Sequence, residues 1–164
     1  FIKKYRIKNT LHGITRLFKS TRAYNSMRTT LFFNAAGIKT ASPVLFCEDE
    51  GFLGAKTSYL VTESIPGKRL DEALVERENL PIIASSLEAF FKRIGWIGYC
   101  HGDAKTSNFF IHKSLVAFDL DSSRQRLTRF GIQRGLMRDK KRILKSLKGY
   151  NDIHKSLSKR FLRS

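Results

Sequence analysis

The sequence predicts an α+β fold in which a small strand-containing part comes first and a mainly helical part follows. Three observations carry this. Short β-prone runs, Phe1–Tyr5, Pro43–Cys47 and Ser58–Thr62, fall early in the chain. Apolar residues at helical spacing take over from Leu87 onward. Between the two regimes stands a break, Glu63-Ser-Ile-Pro-Gly67, which reads as a hinge. At 164 residues the chain can bury one good core, or two small lobes sharing an interface.

Each element follows from local pattern. FIKKY is a strand ending near Arg6, and Lys8–Ser20 reads as a loop or a short basic helix. From Thr21 a helix is expected, with Ala23, Met27 and Leu31 on one face and Gly37 at its end. PVLFC and SYLVT are strands joined across the turn-prone EDEGFLG, a hairpin. Leu87, Phe90, Phe91, Ile94 and Ile97 form the stripe of a core helix. Phe109–Ile111 and Leu115–Phe118 are two short strands around His112-Lys-Ser114. Two amphipathic helices close the chain, one through Leu136, Ile143, Leu144 and Leu147, the other through Tyr150, Ile153, Leu157 and Phe161. There is no internal repeat and no low-complexity segment.

The net charge of +17 is unevenly spread. Residues 1–47 carry nine Lys/Arg and no acid, residues 48–121 carry eight basic and twelve acidic groups, and residues 122–164 carry fourteen basic and two acidic. Cationic flanks of this kind favour an anionic partner: nucleic acid, an anionic leaflet or a phosphorylated substrate. Charge alone does not choose among them. Arg138, Lys141, Arg142 and Lys145 are expected on the solvent side of their helix, as an anion-binding surface. No apolar run approaches the roughly 20 residues of a membrane span. Cys47 and Cys100 form no ligand-like cluster and suit apolar burial in a reducing compartment. The chain opens inside strand-like sequence without a methionine and so reads as a fragment.

The chemistry concentrates in YCHGDAKTSNFFIHKSLVAFDLD, residues 99–121. Phosphoryl transfer needs a carboxylate to orient the attacking hydroxyl, a cation near the moving group, and two oxygen ligands for magnesium. Asp103, Lys105, Asn108 and Asp119 can supply all four. His101 is expected to scaffold the loop rather than react. Asp121 either adds a carboxylate to the site or caps the segment that follows.

The order strand-lysine, helix, two strands, hinge, helix, H-G-D-x-x-x-x-N, hairpin, Asp resembles the protein-kinase-like core. More specifically the chain resembles the lipopolysaccharide core kinases, on FIKKY, TRAYNSMR with AAGIKTASPV, SYLVTESIPG, HGDAKTSNFFI, VAFDLDS and LMRDKKRILKSL. The resemblance implies a two-lobed fold, with residues 1–63 a partial N-lobe lacking its glycine-rich hairpin and residues 64–164 a C-lobe with basic C-terminal helices. It implies ATP and Mg2+, with Asp103 and Lys105 catalytic and Asn108 and Asp119 on the metal. Lys3 would hold the ATP phosphates, with Lys4 the adjacent alternative, since strand alternation lets only one face the cleft. Glu63, Ser64 and Ile65 would line the adenine pocket.

The implied acceptor is a sugar hydroxyl, heptose or 3-deoxy-manno-octulosonic acid, on an anionic lipid A–core glycolipid. The implied location is cytoplasmic, peripheral to the inner face of the cytoplasmic membrane. Two departures stand out: Ser26 occupies the position of the helix glutamate that pairs with the strand lysine, and the phosphate-covering hairpin is absent, so low activity of this stretch alone is expected. Other readings of the same residues are a small-molecule or protein kinase of this superfamily, a pseudokinase, or a basic nucleic-acid-binding protein. Oligomeric state is not legible.

Overall fold

The computed structural model describes residues 1–5, 20–50, 56–76 and 79–163. All of the loop or basic helix expected over Lys8–Ser20 except Ser20, and residues 51–55 of the expected hairpin turn, lie outside the described residues. The N-terminal part is a three-stranded antiparallel sheet in the order β1-β3-β2, built from β1 (Ile2–Tyr5), β2 (Pro43–Glu50) and β3 (Lys56–Thr62). Period-2 alternation decides which side chains turn inward. Ser58, Leu60 and Thr62 are buried on β3, and Tyr5 is buried on β1, where Lys3 stands opposite Leu60. The same alternation turns Cys47 outward: it is exposed, whereas Cys100 is buried, so the expected burial holds for only one of the two.

Helix α1 (Arg22–Ala35) packs on this sheet, with Ala23 and Met27 against Tyr5, Leu60 and Phe46. Thr21 caps its start by accepting from the Tyr24 N–H at 3.2 Å. At its end Gly37 takes φ +71°, and the N–H groups of Gly37 and Ile38 bond the carbonyls of Asn34 and Phe33 at 2.9 and 2.8 Å. The expected face was wrong in one respect. Leu31 is exposed, and the buried face runs through Ala23, Ser26, Thr29, Thr30 and Phe33. Steps of four residues drift about 40° each around a helix of 3.6 per turn, so a 23-27-31 series leaves the core side.

The C-terminal part begins with β4 (Lys68–Arg69) and a short helix α2 (Leu70–Val75). Six residues give too little period to announce a helix in sequence, but Glu72 folds back to accept from the Arg69 N–H at 3.2 Å. Helix α3 (Leu80–Trp96) leads into β5 (Tyr99–Cys100), a 3-10 turn at Thr106–Asn108, β6 (Phe109–Ile111) and β7 (Leu115–Ala117). A second 3-10 turn at Leu120–Ser122 precedes β8 (Arg124–Gln125), α4 (Arg129–Ser146) and α5 (Asn151–Arg163). Strands β4-β6-β7 form one antiparallel sheet and β5-β8 another.

The main core collects Leu87, Phe91 and Ile94 of α3, Ile143 of α4 with Leu147 at its C-terminal cap, and Ile153 and Leu157 of α5. Each such side chain contributes about 1.5–3 kcal/mol on burial. Phe33 and Ile38, at the end of α1, belong to this core and tie the sheet to it. The Ala117 N–H donates to the Lys39 carbonyl at 2.9 Å, so the strand leading to Asp119 is stitched to the segment after α1. Among the described residues no helix is long and apolar enough to cross a membrane.

Candidate active site

Strand alternation settles which lysine enters the site. Lys4 lies over the Tyr59 ring at 5.0 Å, while Lys3 points the other way and its ammonium donates to the Asp119 carboxylate. Lys3 Nζ is also 3.7 Å from Asp121 Oδ2. Partial burial works against the Lys3 charge, but the hydrogen bond it donates to Asp119 and the nearby Tyr5, Asp121 and Asp119 outweigh it and raise its pKa. The converse holds at Asp119: burial alone would raise its pKa, and the hydrogen bond and charge of Lys3 bring it below the usual carboxylate value.

Asp119 adopts a left-handed backbone, φ +56°, which a non-glycine residue holds only where its surroundings enforce it. Here the enforcing contacts are the Lys3 ion pair and the strand before it, whose Phe118 N–H donates to the Asn108 carbonyl at 2.9 Å. That backbone bond sets Asn108 and Asp119 on neighbouring stretches of chain.

Residues 1–47 hold no acid, so α1 must meet the site with something other than a glutamate. It meets it with Arg22, which pairs with Asp121 and lies over the Tyr5 ring, 5.5 Å from its centroid. Ser26 is buried beside Tyr5, to which it hydrogen-bonds. Asp121 is therefore neither idle nor a simple cap. The helix-to-strand ion pair expected in this fold is replaced by a helix arginine on a carboxylate two residues past Asp119. The total absence of acid before Glu48 was the signal that could have pointed to Arg22.

Asp103, Lys105 and Asn108 form the second cluster. Asn108 Nδ2 donates to the Asp103 carbonyl at 2.8 Å and to its Oδ2 at 3.2 Å, and Lys105 Nζ stands 3.2 Å from that same oxygen. The Asp103 carboxylate is part-exposed and oriented from both sides, as a group that must receive a substrate needs to be. His101 lies in the core between Phe90 and Phe109, with ring centroids 6.2 and 5.3 Å away, and its burial lowers its pKa. It is a scaffold for the loop: its Nδ1 accepts from the Asp103 N–H at 3.4 Å and its carbonyl from Ser123 Oγ at 3.0 Å.

One positioning residue went unnoticed in the sequence. Asp139 of α4 is 1% exposed and accepts the Gly102 N–H on both carboxylate oxygens at 3.1 Å. Gly102 holds φ +83°, and a Cβ there would strike the Ser122 carbonyl, so the loop closes tightly against the DLD segment. The signal was present: Asp139 fills the gap between Leu136 and Ile143 on an otherwise apolar stripe.

Lys3 and Asp119 line one small cavity with Tyr5, Ser26, Leu60 and Thr62. Glu63, Ser64 and Ile65 line a different hollow, of about 440 Å³, with Lys39–Ser42 and His112–Ser114. The Glu63 N–H is taken by the Ser42 carbonyl at 2.9 Å. Among the described residues no group of three or more His, Cys, Asp or Glu is placed to hold a metal alone. Magnesium in such sites rarely has an all-protein cage, since one or two carboxylates and the substrate phosphates suffice. The Asn108 amide and the Asp119 carboxylate, brought to neighbouring positions, are a donor set of that kind.

A strand lysine reaching an aspartate beyond a hairpin, above a loop carrying Asp103 and Asn108, defines the class: a protein-kinase-like phosphotransferase. The chain belongs to the lipopolysaccharide kinase (Kdo/WaaP) family, whose profile matches residues 1–161. It is a kinase family of lipopolysaccharide biosynthesis. Solved structures agree on the fold. WaaP in complex with acyl carrier protein is 21% identical, with a TM-score of 0.66, covering 100% of this chain and 70% of that one. WbdD with a kinase inhibitor is 17% identical, with a TM-score of 0.53, covering 76% of this chain and 29% of that one. A further WbdD structure gives 18% and 0.54, over 76% and 28%. No curated protein matches the chain.

Proposed function

We propose that the protein transfers the γ-phosphoryl group of ATP to a sugar hydroxyl of the lipopolysaccharide inner core, on heptose or 3-deoxy-manno-octulosonic acid. The observation that carries this reading is the Lys3–Asp119 pair set beside the Asp103–Asn108 loop in a chain of this family. In this reading residues 1–63 are the smaller lobe and residues 64–164 the larger, with Glu63–Ile65 at their junction receiving the adenine. Lys3 binds the ATP phosphates, and its raised pKa keeps it cationic through the neutral range. Asn108 and Asp119 would hold magnesium, which when bound neutralises charge on the phosphates. Asp103 aligns the acceptor hydroxyl and takes its proton as the new O–P bond forms and the β–γ bridging oxygen leaves with ADP. Lys105 faces the charge in transit. Positioning and electrostatics supply most of the acceleration, since the protein performs little covalent chemistry.

The basic C-terminal helices suit peripheral attachment to the inner face of the cytoplasmic membrane, each residue near an anionic surface adding about 1 kcal/mol at best. The test is transfer from labelled ATP, by the full-length protein with Mg2+, to lipid A–core glycolipid against aminoglycoside, choline and protein acceptors. Transfer confined to the glycolipid supports the reading. Preference for another acceptor moves the protein to a different kinase branch, and no turnover with any acceptor makes it a pseudokinase. The acyl carrier protein bound by WaaP suggests a protein partner as well, which co-purification with this chain would check.

A further inference from the structure

A second polar cavity, about 250 Å³ in volume, lies between β5, β8 and α4 and takes no part in the scheme above. Its walls carry Arg124, Arg126, Arg138 and Arg142, with Asp139 the one acidic residue among the lining side chains. The convergence follows from periodicity. Arg124 and Arg126 are two apart on an extended segment and share a face, and Arg138 and Arg142 are four apart on a helix and share another. The two faces look into the same space.

The charge in this space is compensated only in part, one carboxylate facing four guanidinium groups. Both Asp139 oxygens already receive the Gly102 N–H, and Arg142 Nη1 is 3.9 Å from Asp139 Oδ1, beyond hydrogen-bond range. Arg124, Arg126 and Arg138 have no ion pair among the described residues. Arg126 Nε is buried without a hydrogen-bond partner, a condition that native interiors seldom leave standing. Gly135 in the same wall sits against Cys100, where a side chain would collide with the sulfur.

We propose that this cavity is a binding subsite for a phosphate monoester. Guanidinium forks match phosphate oxygens bidentately, and a doubly charged group with three terminal oxygens can engage several at once. The volume lies below the roughly 300–1,000 Å³ of pockets that bury a whole small ligand, so the cavity takes a group rather than a molecule. Gly102 and Ser122 in its walls adjoin Asp103 and Asp121, so an anion held here is anchored to the loops that carry the proposed reaction. The phosphate comes either from the acceptor glycolipid or from solution. The first source rests on the function proposed above; the subsite itself does not.

Two arms test it. In the first, inorganic phosphate is titrated calorimetrically into the full-length protein without nucleotide. Wild type binds, the Arg138→Gln/Arg142→Gln double variant binds at least ten-fold more weakly, and Lys141→Gln, in the same basic run but outside the cavity, behaves as wild type. Arg124→Gln, on an exposed strand position, repeats the loss from the opposite wall. Equal binding by all four proteins, or no binding by wild type, overturns the proposal whether or not the protein proves to be a kinase. In the second arm, KM is compared for lipid A–core glycolipid before and after phosphatase treatment. A rise of ten-fold or more in the double variant, confined to the phosphorylated acceptor and with KM for ATP unchanged, assigns the anion to the acceptor. An unchanged KM beside lost phosphate binding assigns it to free phosphate.

Discussion

At the residue scale, two groups do work that their sequence context only half reveals. Arg22 and Asp121 form the bond between α1 and the DLD segment, and Lys3 stands 3.7 Å from the same aspartate. Because Arg22 is half-exposed, the pair contributes only about 1 kcal/mol or less to stability. Its larger effect belongs on activity, through the placement of Asp119. Asp121→Asn should therefore lower kcat ten-fold or more while moving the urea midpoint little, and a double-mutant cycle with Arg22→Gln should show strong coupling in kcat and weak coupling in stability.

His101 makes the opposite case. Its pKa is lowered in the folded protein from an ordinary 6.5, so the unfolded chain takes up a proton at higher pH than the folded one. Its neutral form costs nothing above pH 6.5, and stability falls as pH drops below that value. Urea unfolding at pH 7.5 and 5.5 should show this loss in wild type and a smaller one in His101→Gln.

At the element scale, α4 holds the loop that carries Asp103 through one carboxylate, Asp139. Asp139→Asn leaves the Gly102 N–H with a weaker acceptor and removes a buried charge-assisted bond, costing about 1.5–3 kcal/mol. Its specific mark is a fall in kcat with KM for ATP unchanged, because Lys3 and the hinge do not depend on α4. Leu87→Ala in α3 is the structural comparison: about 2–5 kcal/mol lost from a fully buried site, with activity per folded molecule retained. Elements with many periodic residues were legible in the sequence. The α3 stripe at Leu87–Ile94 is core, and the strands around the hairpin lie where the apolar runs put them. Elements built from few residues were not. Helix α2 has six residues, and β4, β5 and β8 have two each. Their existence depends on partners far away in sequence, which no local pattern encodes. Asp139 is an intermediate case: its place on the apolar stripe marks it as buried, but its partner, 37 residues away, is not marked by any local pattern.

For the whole molecule, the distribution of charge is a property that no single contact explains. Acidic groups gather in the segment that holds Asp103 and Asp119, and cationic stretches flank it on both sides. In the proposed function the flanks raise the local concentration of an anionic acceptor and draw the protein to an anionic surface, an effect that fades with salt. Sedimentation with vesicles containing 30% anionic lipid should retain the protein at ~50 mM salt and release most of it by ~500 mM, where the Debye length has shrunk to a few ångströms. Neutral vesicles should not retain it at either salt. The fold was readable at this scale because motif order, strand-lysine to DLD, is itself long-range information. The site's electrostatic pairing was readable only in part: Lys3 and Lys105 stand out in the sequence, whereas Arg22, which faces Asp121 across 99 residues, does not.

In the proposed reaction Asp103 is the group that aligns and deprotonates the acceptor hydroxyl. Asp103→Asn keeps the shape of the side chain, and its carbonyl still accepts from Asn108 at 2.8 Å, so the loop should stay folded. The decisive measurement is phosphoryl transfer and Mg-ATP affinity on that variant of the full-length protein, side by side. The expected result is a loss of about 10²–10⁴ in kcat with ATP affinity within about two- to three-fold of wild type. Wild-type-like turnover in Asp103→Asn would contradict it.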